Sequence, residues 1–361
     1  MQETSEWQQQ TETDVVIVGQ GVAGLVLSVL LGRAGIKHVV LSRGQGADRP
    51  ALAETLPPSA LKLLQSMGLR ELFESCSTRT FGYHSLWGTQ EVADTHFFSH
   101  HPFNYGLKLD KPALLQSLQA EAPGCVVACE GLTGVEDTGR GIKVTYRAGK
   151  SWHVLHARYV VDATGRSRAV VHKLGIASEH TDRQVALSCY VPLTRHPRLK
   201  HGVYTEAFEG GWGMVSVLDE VSSVMTLFAE RDSPLLQLMK QYTHWAQILS
   251  ETRYLKYFLA KEPLCPVWGH EANSSRATQM SGPAHLAIGD AALAFDPLAS
   301  HGISNALFTA EAASKVLTKA LRHDPTAVIE AYDHMLNRVF AQYVQQRNQL
   351  HGAVAVAGST H

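Results

Sequence analysis

The chain has 361 residues, of which 45% are hydrophobic and 18% charged, and its formal net charge is −1. This composition is typical of a globular protein, and the length suits either two domains or one large α/β unit with an insertion. The balanced charge excludes a basic field, so we expect neither a nucleic acid nor an anionic membrane as a partner. The five cysteines form no CxxC pair, and the chain has neither a signal-like N-terminus nor a long apolar run, so we expect no structural zinc, no disulfide framework and a cytoplasmic location.

The N-terminal region predicts a tail followed by a strand–helix–strand unit. Residues 1–12 are rich in Gln, Glu and Thr and are predicted to be a disordered tail. Residues 14–18 form a β-branched run typical of a buried parallel strand, and an apolar helical pattern follows as far as Gly35. A second strand is predicted at 38–42. This order indicates a βαβ unit and therefore an α/β fold.

A glycine-rich loop joins the first strand to the helix and has the pattern Gly19-x-Gly21-x-x-Gly24. In such loops the first glycine permits a tight turn, the second lets the backbone approach a pyrophosphate, and the third lets helix and strand pack closely. The helix N-terminus then offers unpaired N–H groups to phosphate oxygens. We therefore predict a dinucleotide site at these glycines and at the neighbouring Ala23.

The end of the second predicted strand departs from the common pattern. An acid usually stands there to bind the adenosine ribose, but this chain has Ser42 followed by Arg43. Arginine at this place is also found where a loop binds the 2′-phosphate of NADP. From this segment alone, an NADP-dependent dehydrogenase stays open beside a flavin enzyme. Arg43 would contact the nucleotide in either case, unless it is a solvated surface charge.

The region between the nucleotide-binding segments is predicted to form a second domain from residues 76–104 and 181–279. Phe81 and Trp87 belong to an aromatic cluster in sequence, and Trp212 lies among alternating residues typical of antiparallel strands. These three aromatic residues are candidates to line a substrate pocket, with an ordinary core position as the alternative. His96, His100 and His101 are close in sequence, but Pro102 follows and no carboxylate cluster adjoins them, so we predict no metal site.

Two later segments follow predicted strands. Asp162-Ala163-Thr164-Gly165 ends a strand at 157–162, and Gly289-Asp290 follows a strand at 285–288. A helix with an apolar face is predicted over 302–322. We assign residues 13–75, 105–180 and 280–361 to the nucleotide-binding domain with its C-terminal helices.

These segments, with Glu54-Thr55-Leu56-Pro57-Pro58, stand in the order found in class A flavin monooxygenases and flavin-dependent halogenases, which the chain resembles. The resemblance implies a Rossmann-type, glutathione-reductase-like FAD-binding domain with an inserted, mainly antiparallel β-sheet substrate domain. It implies that Asp290 binds the ribityl or pyrophosphate part of FAD and that the loop from Pro297 to Ser304 passes the flavin ring. Further implied cofactor contacts are Lys111, Asp162, Gly165, Gly289, Gly302 and Ile303.

The segment Asp296-Pro297-Leu298-Ala299-Ser300-His301-Gly302-Ile303 is similar to that of the LodB/GoxB-like flavoproteins, as is the run from Tyr83 to Gly88. Those proteins help to form cysteine tryptophylquinone in a partner oxidase. His301 replaces the glutamine usual in that group, and lysine replaces an arginine near Asp110-Lys111. The Trp-x-Trp-x-Ile-Pro segment and the lysine of halogenases have no counterpart, so halogenation is not expected.

The resemblance implies an FAD-dependent monooxygenase that uses O2 and either NAD(P)H or a separate reductase to hydroxylate an aromatic ring. Its substrate would be a tryptophan in the precursor of a quinone-cofactor oxidase. His301 is our candidate for handling a proton, because histidine titrates near neutral pH. Three alternatives stay open: a small-molecule aromatic hydroxylase, a reductase resembling geranylgeranyl reductases, and a non-catalytic flavin-binding chaperone.

Overall fold

The computed structural model describes residues 7–44, 52–87, 93–96, 103–122, 125–194 and 202–357. The strands are β1 (Trp7–Val18), β2 (His38–Ser42), β3 (Thr55–Leu56), β4 (Ser77–Thr80), β5 (Gly82–Leu86), β6 (Ala93–His96), β7 (Gly106–Leu109), β8 (Cys125–Ala128), β9 (Gly131–Asp137), β10 (Ile142–Ala148), β11 (Ser151–Asp162), β12 (Ser178–His180), β13 (Gln184–Pro192), β14 (Val203–Phe208), β15 (Gly211–Val217), β16 (Ser222–Glu230), β17 (Trp268–Glu271), β18 (Ser275–Ala277), β19 (Ser281–Gly282), β20 (His285–Ala287) and β21 (Leu293–Ala294). The helices are α1 (Val22–Arg33), α2 (Pro58–Ser66), α3 (Arg70–Ser75), α4 (Lys111–Glu121), α5 (Ala169–Lys173), α6 (Pro234–Met239), α7 (Trp245–Ile248), α8 (Gly302–Ala320) and α9 (Thr326–Ala357).

The first sheet carries the predicted βαβ unit and has the strand order β19-β20-β11-β1-β2-β8. The pairs β20/β11, β11/β1, β1/β2 and β2/β8 are parallel, and β9 and β10 extend the sheet as antiparallel strands beside β11. Val15, Val16 and Ile17 are fully buried, as expected for a parallel strand covered on both faces. Helix α1 is buried over most of its length and packs between this sheet and α8.

One boundary differs from the sequence prediction. The first strand begins at Trp7 rather than after residue 12, and Trp7 and Gln8 lie opposite Trp152 and His153 of β11. The predicted tail of residues 1–12 is therefore wrong from residue 7 onward. Composition alone suggested disorder, but the exposed backbone of β11 provides hydrogen-bond partners for this polar segment.

The second large sheet has seven strands in the order β17-β13-β16-β15-β14-β5-β6. All of them lie within residues 76–104 and 181–279, the ranges predicted for the substrate domain. One face packs against α6, α7 and the 3₁₀ turn at Leu255–Phe258, with Trp245 completely buried. The other face carries Trp212 and Phe228, which pack with Leu298 from the opposite domain. This second face is called the inner face below.

The C-terminal helices connect the two sheets. Helix α8 packs on α1, and α9 packs on α8 and β19. Near the end of α9, Arg347 forms ion pairs with Asp182 at 3.1 Å and with Asp296 at 3.3 Å. No helix in the described ranges is both long and apolar enough to cross a bilayer.

Candidate cofactor and substrate site

A cleft of about 3200 Å³ opens at the carboxyl ends of the parallel strands. Its walls include the residues that directly follow five strands, namely 19–23 after β1, 43–44 after β2, 129–132 after β8, 163–167 after β11 and 288–290 after β20. In open α/β sheets this edge is where ligands bind. Of the predicted cofactor residues, the following line it: Gly19, Gly21, Ala23, Ser42, Arg43, Lys111, Gly165, Gly289, Asp290, Gly302 and Ile303.

The three loop glycines have different structural requirements. Gly19 has φ +117°, and a Cβ there would lie 2.3 Å from the carbonyl oxygen of Ala163. A Cβ on Gly24 would lie 2.0 Å from the carbonyl oxygen of Gly19, so Gly24 permits close packing and does not line the cleft. Nothing lies within 4 Å of a Cβ on Gly21. The loop therefore has free space at the glycine where a pyrophosphate is expected to approach.

Asp162 has a structural environment that was not predicted. It is fully buried; one carboxylate oxygen accepts hydrogen bonds from the N–H and hydroxyl groups of Thr164, and the other accepts from the N–H groups of Val170 and Val171. The carboxylate thus binds the start of α5 and does not line the cleft. A direct contact of Asp162 with the cofactor remains a prediction that this geometry does not favour.

Asp290 lies at the cleft wall near three cationic side chains, Arg166, Lys111 and Arg168. Arg166 Nε is 3.6 Å from its carboxylate, and Arg166 also donates to the carbonyl of Phe295 at 2.9 Å. Desolvation raises the pKa of the Asp290 carboxyl, while the charges of Arg166 and Lys111 oppose that rise. Lys111 in turn bonds Glu54 at 2.8 Å. Asp290 is therefore held by charges on several elements, an arrangement suited to accepting hydroxyl hydrogen bonds.

The segment from Pro297 to Ile303 enters helix α8. Pro297 begins a 3₁₀ turn, Ser300 takes the left-handed conformation at φ +50°, and His301 precedes the first helical residue. Gly302 and Ile303 line the cleft, whereas Pro297 and His301 do not. The His301 ring lies 6.1 Å from that of Phe295, and desolvation lowers its pKa. The helix N-terminus, rather than His301, thus faces the cleft.

The three predicted substrate residues lie outside the cleft lining. Phe81 is 49% exposed. Trp212 is buried and stacks on Phe228 with 3.8 Å between the ring centroids. Trp87 packs edge-on against Trp212, and its indole N–H donates to the carbonyl of Leu350 at 2.8 Å. Trp87 and Trp212 therefore belong to a packed cluster beneath the end of α9, in line with the alternative of ordinary core positions.

The sequence reading missed Trp268 and His270, which line the cleft from strand β17. His270 lies opposite Ala186 of β13, and Ala186 is on the inner face with Trp212. Burial and the charge of Arg166 lower the pKa of His270, so it is neutral at pH 7 and able to accept a proton. The alternation Trp268-x-His270 is the signal that would have indicated a strand with both side chains on one face.

The three histidines at which we predict no metal site are His96, His100 and His101. His96 lies in β6, and His100 and His101 fall outside the described residues. Within the described ranges, no group of three or more His, Cys, Asp or Glu side chains has the arrangement needed to hold a metal ion.

The geometry suits FAD in three respects. The glycine loop leaves space at Gly21, the N-terminus of α8 faces the cleft at Gly302, and the cleft volume exceeds the roughly 300–1,000 Å³ of ordinary ligand sites. A dinucleotide and a second ligand would both find room there.

Comparison with known proteins gives concordant results. Residues 12–347 match the family model described as "FAD binding domain". The chain is 25% identical to the FAD-dependent oxidoreductase LodB of Marinomonas mediterranea, over 91% of this chain and 90% of that protein. It is also 25% identical to the 6-methylpretetramide 4-monooxygenase of Streptomyces rimosus, over 86% of this chain and 76% of that protein.

Two solved structures show the same fold. The flavin-dependent halogenase CmlS superposes with a TM-score of 0.81 at 23% identity and covers 92% of this chain, which spans only 63% of the halogenase. The peptidyl tryptophan dihydroxylase QhpG superposes with a TM-score of 0.72 at 20% identity, over 95% of this chain and 76% of that one. Because the family model covers nearly the whole chain, the protein belongs to the FAD-binding domain family and is an FAD-dependent oxidoreductase.

Proposed function

We propose that the protein is a monooxygenase that hydroxylates the ring of a tryptophan side chain in a partner polypeptide, as a step in forming a tryptophylquinone cofactor. The main support is the likeness to QhpG, described as a peptidyl tryptophan dihydroxylase essential for tryptophylquinone cofactor biogenesis, over 95% of this chain. The likeness to LodB along 91% of the chain adds to it.

Bound, reduced FAD would supply the chemistry of this reaction, the activation of O2 for transfer of one oxygen atom to an electron-rich ring. The residues of this chain would bind FAD and shield it. The loop at Gly21 and the first turn of α1 would offer backbone N–H groups to the pyrophosphate, and Asp290 would offer a carboxylate to hydroxyl groups. The N-terminus of α8 at Gly302 favours negative charge on the adjacent part of the cofactor. These groups position the cofactor before the substrate arrives.

A proton must leave the ring carbon that gains oxygen, so that aromaticity is restored. His270 is better placed to accept it than His301, because His270 lines the cleft and His301 does not. Trp268, one pleat along the same strand, adds an aromatic surface to this wall. His301 would then affect the reaction only through the position of the α8 N-terminus.

The test supplies the FAD-loaded protein with NADPH or NADH, ¹⁸O2 and a tryptophan-containing polypeptide that copurifies with it. We expect mass spectrometry to find ¹⁸O on a tryptophan of that polypeptide and none without the protein. Unlabelled tryptophan despite flavin reduction and oxygen consumption would contradict the proposed substrate. Absence of oxygen consumption with every polypeptide would favour a reductase or a non-catalytic flavin-binding protein instead.

A small-molecule aromatic hydroxylase is the second candidate, and the likeness to 6-methylpretetramide 4-monooxygenase favours it. An anaerobic titration of the bound flavin separates the two. Prompt reduction by NADPH or NADH alone would favour the small-molecule enzyme, because such an enzyme needs no partner. Reduction only in the presence of the partner polypeptide or a separate reductase would favour the proposed function.

A further inference from the structure

The adenosine end of the cleft has a serine where an acid usually binds ribose. Ser42 ends strand β2 and is only 3% exposed. Its hydroxyl donates to Gln20 Oε1 at 2.5 Å and accepts from the backbone N–H of Gly44 at 3.0 Å. The Ser42 hydroxyl proton is therefore used in the hydrogen bond to Gln20, and the two hydrogen bonds fix the Ser42 side chain in one orientation.

Gln20 belongs to the glycine loop and is held from a second side. Its Nε2 donates to Gln119 Oε1 of helix α4 at 2.5 Å. An amide side chain has two N–H donors and two acceptor lone pairs on oxygen, and one of each is used by Ser42 and Gln119. One N–H group and one oxygen lone pair of Gln20 therefore remain. A ribose hydroxyl is both a donor and an acceptor, so ribose hydroxyls are able to form hydrogen bonds with both. Gln20 and Ser42 both line the cleft.

The neighbouring acidic residue, Glu130, already forms an ion pair. Strand β8 pairs with β2, and Glu130 follows it on the cleft wall. The Glu130 carboxylate forms an ion pair with Arg147 at 2.6 Å, and both side chains are about half exposed. Arg43 lies close enough to Cys129 for its charge to act on that thiol. Gln20 is thus better prepared than Glu130 to receive the ribose.

We propose that Gln20, oriented by Ser42 and Gln119, binds the adenosine ribose hydroxyls of FAD in place of the usual carboxylate. Recognition at this end then depends on neutral hydrogen bonds drawn from three elements: the glycine loop, the end of β2, and α4. A neutral hydrogen bond contributes less than one to a charged group, so the adenosine end holds FAD less tightly than a carboxylate would.

The test measures the FAD dissociation constant of the apoprotein by quenching of flavin fluorescence. FAD is compared with analogues whose adenosine lacks the 2′- or the 3′-hydroxyl. The wild-type protein should bind at least one analogue about tenfold more weakly than FAD. Gln20→Ala should weaken FAD binding by a similar factor and should no longer distinguish FAD from that analogue. Gln119→Ala should show a smaller change of the same kind.

Gln116→Ala is the matched control, because Gln116 lies about one turn from Gln119 on α4 and does not line the cleft, whereas Gln119 bonds Gln20; FAD binding should stay unchanged. Circular dichroism checks that each variant is folded. The proposal is overturned if Gln20→Ala binds FAD as tightly as the wild type, or if it still prefers FAD to the deoxy analogue by the wild-type factor. A Glu130→Gln variant that loses this preference while Gln20→Ala keeps it would assign the ribose to Glu130.

Discussion

The glycines of the nucleotide-binding loop differ in the space that surrounds an added Cβ atom. This difference separates a glycine that the fold requires from one that a ligand is expected to approach. The pattern Gly-x-Gly-x-x-Gly predicted the loop, but it could not rank its glycines. The structure ranks them by the space around an added Cβ: 2.0 Å from a backbone oxygen at Gly24, and nothing within 4 Å at Gly21. Backbone atoms 2.0 Å away cannot yield without moving the loop.

Gly24→Ala and Gly21→Ala should therefore fail in different ways. Gly24→Ala should destabilise the apoprotein by several kcal/mol, on the order of 3, because helix and loop must separate. Gly21→Ala should fold with nearly wild-type stability, since its φ of −76° suits alanine, yet bind FAD at least tenfold more weakly because the methyl group fills the pyrophosphate space. Urea unfolding and FAD titration measure the two effects. Equal FAD affinity in Gly21→Ala and wild type would contradict this assignment.

His270, which lines the cleft, should matter more for hydroxylation than His301, which does not line it. His270→Asn should lower hydroxylation on the order of a hundredfold at pH 7.5, the effect of losing a general base, while flavin reduction stays within about twofold. In the wild type, the rate should fall only when pH drops through the lowered pKa of His270, on the acid side of the ordinary histidine value of 6.5, because protonated His270 no longer accepts a proton. His301→Ala is the comparison variant. If His301→Ala lowers hydroxylation by about a hundredfold and His270→Asn leaves it unchanged, the assignment is reversed.

For helices and strands, regular hydrophobic patterns in the sequence predicted the elements themselves. The sequence did not predict the side-chain hydrogen bonds that cap them. The strand at 38–42 and the start of α8 at 302 were predicted from β-branched runs and helical periodicity. Strand β17 was missed because its four residues include a glycine and two charged or polar side chains, which gives little hydrophobic signal. Asp162 was assigned to the cofactor because sequence order cannot show that its carboxylate points back into the start of α5.

Asp162 should therefore be a stability determinant. Asp162→Ala removes the acceptors of two backbone N–H groups of α5 and of the Thr164 side chain, and it leaves these donors without a partner in the interior. We expect the free energy of unfolding to fall by about 2–4 kcal/mol. Asp324→Ala, which removes an exposed carboxylate that bonds Thr326 at the start of α9, is the control and should lower stability by less than Asp162→Ala does. A folded Asp162→Ala variant with wild-type stability but weakened FAD binding would restore the cofactor assignment.

Buried ion pairs join the end of α9 to Asp182 and to Asp296, the residue before the segment from Pro297 to Ser304. Arg347 is 11% exposed, and its partners Asp182 and Asp296 are 6% and 2% exposed. Arg347→Met would remove the cationic partner of Asp182, which would keep only backbone N–H donors, and would leave Asp296 with one backbone N–H and His351, at 2.9 Å. Removing one member of a buried ion pair costs on the order of 3–5 kcal/mol. Thermal unfolding should show the loss, and Arg347→Lys should recover only part of it.

For the whole molecule, the family resemblance predicted the two-part architecture. Only the structure shows which residues of the second sheet line the cleft. The aromatic residues chosen from sequence, Trp87 and Trp212, pack beneath the end of α9. Residues of β17, at the far edge of the same sheet, line the cleft instead. Which edge faces the cofactor depends on how the two sheets are placed around α8 and α9, and no local pattern encodes that placement.

The buried histidines make the stability of the whole molecule pH-dependent. His38 and His285 are 6% and 7% exposed, and burial lowers the pKa of both below 6.5. The unfolded chain therefore binds more protons than the folded chain as pH falls below about 6.5, and the free energy of unfolding must decrease in that direction. The raised pKa of Asp290 acts with the opposite sign, nearer its ordinary value of 3.8.

We therefore expect the apoprotein to unfold at lower urea concentration at pH 5.5 than at pH 7.5. The apoprotein is used so that FAD binding does not add its own pH dependence. His38→Gln retains a polar side chain near Ser28, which bonds the His38 ring at 2.7 Å, but does not titrate. It should reduce the difference between the two pH values while lowering stability at pH 7.5. An unchanged pH difference in His38→Gln would show that His38 is protonated equally in the folded and unfolded states and would refute its part in this effect.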